Sequence, residues 1–360
     1  MPATHAVVPD PRNASILVGM RDGVTKEFRL IPKAQATVSV LDSAFMLGDG
    51  IWEGIRCKKG VIQFAKEHID RLFESAKAMF MNLELSRVQL LQYLYETIDA
   101  NNMNMSDDVH IRLMVSRGLK DTLIRTHALP SGSAPLIVII PEFKKADPSI
   151  QHRGLKLATV HVRRGPPDVK DEMWNHMSKA TDIQACIQAN YLGVDEALML
   201  DDRGWVKTCN STNFMIVREG MGEDEGKLVV WSPTKNNQMQ GITRRKTIEA
   251  CRAAGVPVYE QDFSLTEVYG AVEAFCCGTF PAQISVIEVD GRKVGDGQSP
   301  GPMVQYINTL YNELVAHDIA RGRAATLEDA RLSDLPYSIR YQMQSMQRKP
   351  ETPKLNGSTS

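Results

Sequence analysis

The polar stretch Lys144-Lys145-Ala146-Asp147-Pro148-Ser149 divides this chain into two halves, and each half carries both strand-like and helical patterns. A helix or strand must bury its apolar face against a neighbour. Two mixed halves parted by polar, proline-bearing sequence therefore predict two α/β (α+β) units joined by a linker. A chain of 360 residues has room for both. The expected division is a smaller N-terminal domain at 14–143, a linker at 144–153 and a larger C-terminal domain at 154–320. A peripheral helical extension follows at 321–346, and a disordered tail at 347–360.

In the first half, strand-like runs occur at Ser15–Val18, Gly60–Phe64, His110–Val115 and Pro135–Ile140. Between them lie two amphipathic helices. One runs near Lys66–Met81, with Ile69, Leu72, Phe73 and Ala76 at helical spacing. The other is Ser86–Asn101, which opens on a serine cap and aligns Leu90, Leu91, Leu94 and Ile98. The second half opens on the alternating run Leu155–Val162. It then mixes helices (Met177–Tyr191, Arg244–Ala254) with short β runs at Glu196–Leu200, Asn213–Val217, Leu228–Trp231 and Glu273–Cys277. No internal repeat is visible. Thr326–Ser345 reads as a peripheral helix or an oligomer contact. The tail, rich in Lys, Pro, Thr, Ser, Asn and Gly, lacks the apolar residues a packed segment needs.

Composition excludes several classes. A formal net charge of -1 is wrong for an electrostatic nucleic-acid binder. No stretch approaches the ~20 apolar residues of a membrane span. The first residues lack the apolar core of a signal peptide, so a cytoplasmic protein is expected. Six cysteines show neither CxxC nor zinc spacing, so no metal is expected. The adjacent Cys276–Cys277 reads as two small apolar residues of a buried strand.

Chemistry-bearing motifs are sparse: GxGxxG, GxSxG, P-loop and HExxH patterns are all missing. Three glycine turns remain. Gly48-Asp49-Gly50 precedes Ile51-Trp52-Glu53, Gly241-Ile242-Thr243 opens a helix, and Gly278-Thr279 ends a strand. A Gly-x-Thr turn at a helix start offers backbone N–H groups, a hydroxyl and the positive end of the helix dipole, which suits a phosphate. It also serves as plain capping. From the residues alone, the chain reads as a two-domain enzyme with a phosphorylated ligand, and the choice among its many Lys and Arg stays open.

Taken together, these segments resemble the class IV, fold type IV aminotransferases, the branched-chain and D-amino-acid enzymes. Gly48-Asp49-Gly50-Ile51-Trp52-Glu53-Gly54-Ile55-Arg56 is similar to that family's early motif, and Glu67-His68-Ile69-Asp70-Arg71-Leu72 to the next. Lys179 matches the Schiff-base lysine. Gly241-Ile242-Thr243-Arg244 and Gly278-Thr279 match the two turns of the phosphate cup. The order holds from about residue 40 to residue 315. The resemblance implies a two-domain fold with pyridoxal 5′-phosphate at the domain interface and a homodimer. It also implies a reaction in which Lys179 holds the cofactor as a Schiff base and then moves a proton between two carbons, as an amino group passes from a small-molecule donor to a 2-oxo acid. Arg71, Ile242, Thr243, Thr279, Gly241 and Gly278 would hold the phosphate. Thr208, Ser211 and Asn213 would face the ring. Trp52, Arg56, Arg125 and His127 would meet the substrate, with Arg117 structural.

Two departures stand out. Where the family carries a Glu to pair with the pyridine nitrogen, five residues before Asn213, this chain has Thr208, and no acid occurs from Val206 to Val217. A neutral hydroxyl stabilises a pyridinium less than a carboxylate does. That leaves a lyase of the aminodeoxychorismate lyase kind, or a homologue without turnover, as alternatives to transamination. Gln184 stands where branched-chain enzymes have a Tyr.

Overall fold

The computed structural model describes residues 6–347. Its N-terminal half is built on a six-stranded sheet in the order Phe28–Pro32, Leu17–Arg21, Leu136–Phe143, Val109–Ser116, Gly50–Lys58, Val61–Ile62. All pairings are antiparallel. Helices Ala65–Ala78 and Arg87–Ala100 cover one face with the leucine and isoleucine stripes that their spacing predicts. The second starts on a complete capping box between Ser86 and Gln89. Ile69, Leu72, Leu90, Leu91, Leu94 and Ile98 are almost fully buried and join Ile51, Ile55 and Ile111 in one core.

The C-terminal half holds a nine-stranded mixed sheet. Its path runs Val206–Cys209, Glu196–Leu200, Leu155–Thr159, Ala282–Val289, Glu273–Gly278, Asn213–Glu219, Leu228–Ser232, Val258–Glu260, with Arg292–Lys293 paired off it. Thr208 pairs back to Asn213, which curls the path into a closed loop of strands at the level of the candidate site. Cys276 and Cys277 lie fully buried in the strand Glu273–Gly278, packed as apolar residues.

Three departures from the sequence reading matter. Residues expected to form a bare linker make the short strand Lys145–Ala146 and the helix Pro148–Arg153, capped by Asp147. The helix expected from Met177 begins at Ala180, because Asn175–Met177 is hydrogen-bonded to the Gly50–Lys58 strand instead. The extension is helical at Gly322–Asp334 and Tyr337–Gln347, and its first helix packs into the N-terminal half. There Ala330 joins the core, Tyr95 bonds Thr326 at 2.6 Å, and Arg323 forks onto Asp99. Of the expected tail, only Gln347 lies within the described residues. Among those residues, no helix is long and apolar enough to cross a membrane.

Candidate active site

A cavity of about 340 Å³ opens between the two sheets. The N-terminal half supplies Trp52, Gly54, Arg71, His110 and Arg112, and Lys144 closes one side. The C-terminal half supplies Lys179 with Arg164, Glu172 and Asp182, the run Thr208–Asn213, the turn Gly241–Thr243 and Cys277–Pro281.

Lys179 is placed by backbone. Trp52 N donates to Asn175 O and Met177 N to Gly50 O, each at 2.8 Å. This close approach explains the Gly48-Asp49-Gly50 motif. Gly48 sits at φ 66, the left-handed region that glycine tolerates. A Cβ at Gly50 would come within 2.3 Å of Met177 Sδ. Lys179 then stands just before the helix Ala180–Tyr191 and points at the Trp52 ring, 5.6 Å from its centroid. Burial lowers its pKa, and Arg164 and Lys170 push the same way, while Asp182 and Glu172 oppose them.

At the other end, Gly241 precedes the helix Ile242–Ala253, and no side chain caps its first turn. The N–H groups of that turn are thus available to an anion. Asn213 Nδ2 donates to Gln238 Oε1 at 3.1 Å and to Met239 O at 3.0 Å, which ties the turn to the sheet. A Cβ at Gly241 would lie 2.1 Å from Asn213 Oδ1. Arg71 Nη1 donates to Gln240 O at 3.2 Å, which brings the guanidinium beside the same turn. Its other nitrogens grip buried Glu53 at 2.8 and 2.6 Å, and His68 Nδ1 meets that carboxylate at 2.7 Å. Burial alone would raise the Glu53 pKa, but Arg71 and His68 outweigh it and hold the group below its ordinary value. Gly278 and Thr279 complete this end of the cavity.

Thr208 lies on the cavity wall, and its hydroxyl donates to Thr212 O at 2.8 Å. It offers outward only lone pairs. Behind the same turn, Glu196 accepts from Thr212 Oγ1 at 2.7 Å and from Ser211 Oγ. Ser211 therefore spends its hydroxyl on fixing the turn. Among the described residues, the carboxylates that line the cavity are Glu172 and Asp182, both on the lysine side. Glu196 also comes together with Cys209 and Cys276 in a buried group, their sulfurs 3.6 Å apart. Burial raises the Cys209 thiol, which keeps it a neutral, poor metal ligand.

The expected substrate residues separate. Trp52 lines the cavity, with the Arg112 guanidinium 4.2 Å above its ring. Arg56 shares that strand face but is spent on Lys144 O at 2.8 Å and Asp108 at 3.1 Å. Arg125 and His127 line a second, open hollow with Leu47 and Asp49. Arg117 forks onto Asp49 at 2.6 and 2.9 Å, a structural role. Gln184 is exposed on its helix.

Comparison with known proteins decides the family. The Amino-transferase class IV model matches residues 50–289. The chain belongs to the class IV aminotransferases.

This class IV aminotransferase is 34% identical over 270 residues to a Methanocaldococcus jannaschii protein provisionally named a branched-chain-amino-acid aminotransferase; the match covers 75% of this chain and 88% of that one. It is 27% identical to the D-alanine aminotransferase of Listeria monocytogenes serotype 1/2a, over 79% of this chain and 93% of that one. The branched-chain aminotransferase of the thermophilic archaeon Thermoproteus uzoniensis, solved with norvaline, superposes with a TM-score of 0.72 at 27% identity, over 85% of this chain and 97% of that one. These likenesses favour transamination over the elimination that Thr208 suggested. Class IV aminotransferases work with pyridoxal phosphate. The cavity fits it, with an uncapped helix start where a Cβ would not fit, a guanidinium beside that turn and a desolvated lysine opposite.

Glu53, His110, Arg112, Lys144, Arg164, Glu172 and Asp182 were missed in the sequence as site residues. Glu53 alone had a local signal, inside the Trp52–Arg56 block.

Proposed function

We propose that this aminotransferase anchors its cofactor on Lys179 and moves an amino group between an amino acid and a 2-oxo acid within the 340 Å³ cavity. One observation carries this reading: a desolvated lysine faces, across one cavity, an uncapped helix N-terminus flanked by an arginine. Bound there, pyridoxal phosphate supplies the electron sink that makes the substrate's Cα–H acidic. The N–H groups of Ile242 and Thr243, the Thr279 hydroxyl and Arg71 would hold its phosphate. Gly241 and Gly278 would allow close approach. Asn213 and Ser211 fix the turns that face the ring, and Thr208 presents a neutral oxygen. Lys179 would take the Cα proton and return it one carbon away.

At the substrate end, Arg112 and Lys144 line the cavity. Among the described residues neither has a carboxylate within ion-pair distance. Burial lowers the pKa of both. Glu142 opposes that shift in both but forms no ion pair with either; such desolvated cations call for an anion, so these two would take the substrate's carboxylate, and Trp52 its side chain. Branched-chain amino acids and D-alanine, from the relatives' names, are the first donors to try.

A homodimer belongs to the same reading. Phe45, Phe80, Leu123 and Ile124 are largely exposed, and the last two flank Arg125 and His127. A second copy would cover this apolar surface together with the hollow lined by Arg125 and His127. Six free cysteines support a reducing, cytoplasmic setting.

The deciding experiment mixes the cofactor-loaded enzyme with single L- and D-amino acids and follows absorbance. Conversion to the pyridoxamine form without an acceptor is expected for at least one donor. Pyruvate release with no conversion would overturn the reading. Light scattering checks the dimer, which a monomeric mass would exclude.

A further inference from the structure

Among the carboxylate oxygens around Lys179, one is left without a hydrogen-bond partner, beside the unpartnered neutral atoms His176 Nε2 and Asn175 Oδ1. Arg164 is buried and gives Nη1 to Asp182 Oδ1 at 2.7 Å, Nη2 to Glu172 Oε2 at 2.9 Å and Nε to Asn237 O at 3.4 Å. Glu172 also takes Lys170 at 3.3 Å. His176 sits deep in the same wall. Burial, aided by the Lys170 and Lys179 charges, holds it down at about 4, so it is neutral near pH 7. The Trp52 ring gives Lys179 only a distant π face. Asp182 Oδ2 is left over: it is buried, has no hydrogen-bond partner, and lies 3.8 Å from Lys179 Nζ. Arg164 holds the far oxygen of the same carboxylate, so the open one is aimed at the amine.

We propose that Asp182 is the counter-carboxylate of Lys179, a positioning residue that stabilises the lysine's positive charge during proton transfer. The inference rests on Lys179 being the cofactor's anchor. With a bound cofactor carrying the substrate's amino group, Lys179 Nζ would be free as a neutral amine. It takes the proton from the substrate's Cα while the C–H electron pair stays with carbon. It is then an ammonium in a partly desolvated site, and Asp182 Oδ2 can close the 3.8 Å gap to meet it. When the proton is handed back to the neighbouring carbon, the amine is neutral again. Arg164 keeps its 2.7 Å contact with the other carboxylate oxygen, which holds Asp182 in place facing the amine.

The plainer account is that Asp182 is an acid in the first turn of the helix Ala180–Tyr191, where the dipole favours it. That role would change stability and leave the lysine's titration alone. The test is Asp182→Asn as holoenzyme, titrated by absorbance without substrate. The pH at which the cofactor–lysine band changes should fall by about one unit, a tenfold change in the protonation constant. The half-reaction rate at saturating donor should fall about 10- to 100-fold, with KM little changed. Asp182→Glu, which keeps the charge, should restore most of the titration. An unchanged band and rate in Asp182→Asn, with only a lower melting temperature, would overturn the proposal. So would an Asp182→Glu enzyme that titrates like Asp182→Asn. If the wild-type enzyme forms no borohydride-reducible adduct on Lys179, the functional reading fails first and separately.

Discussion

Two buried charge clusters flank the cavity, and they are built to opposite rules. In the N-terminal half, Glu53 is met by Nε and Nη2 of Arg71 and by His68, so its oxygens are spoken for. In the C-terminal half, the Lys179 cluster leaves Asp182 Oδ2, His176 Nε2 and Asn175 Oδ1 without hydrogen-bond partners. A satisfied network is rigid and resists change; an open one has groups left to interact with something that arrives. The first cluster therefore holds the Arg71 cation still beside the Gly241 turn, and the second is where, on the proposed reading, a proton would be moved.

The largest effect is expected at the lysine. Lys179→Ala should abolish the borohydride-reducible adduct and lower the half-reaction rate by at least 10²–10⁴-fold, roughly the worth of a positioned general base. An adduct that survives would move the anchor elsewhere. In the satisfied cluster, Glu53→Gln should cost about 1–3 kcal/mol of folding stability, since it takes the charged partner from buried His68 and half-buried Arg71; denaturant unfolding measures it. Arg71→Lys should keep the fold while weakening cofactor retention about 10- to 100-fold, as expected for losing a charged hydrogen bond of about 1.5–3 kcal/mol. Equilibrium dialysis against free cofactor reads this.

The clusters should also unload at different pH. His176 is held at about 4 in the folded chain against an ordinary 6.5. Below pH 6.5 the unfolded chain takes up a proton that the folded chain refuses, so stability falls as pH drops from 6.5 toward 4. Glu53 is held below its ordinary 4.5, so its contribution is intact above that value and fades only as pH falls beneath it. Chemical denaturation across pH 4–7 should show the first slope, and His176→Asn should flatten it. The smallest effect is expected at Thr208→Glu, which should raise the ring-nitrogen pKa and change the half-reaction rate severalfold. Unaltered spectra would place Thr208 away from the nitrogen.

What the sequence revealed follows the same division. The Gly241 end is made of short contiguous segments whose glycines have a steric reason, so the turn Gly241-Ile242-Thr243 and the helix that bears Arg71 were legible as elements, while their roles came from the family resemblance. The Lys179 helix was read three residues too long because backbone pairing to Gly50 outweighs helical pattern at Asn175–Met177. Arg164 and Glu172 sit in irregular chain with no periodicity to betray them. Arg56 sat on the expected face, yet Asp108, far along the chain, claims its guanidinium.

The three residues Asn175–Met177, bonded edge to edge with Gly50–Trp52, have one more consequence. The phosphate turn is anchored in the C-terminal sheet, and the lysine's backbone is stitched to the N-terminal one. On the proposed assignment, a cofactor held by Lys179 at one end and by the Gly241 turn at the other would act as a tie-rod across the crevice, and freeing the lysine would uncouple one end of it.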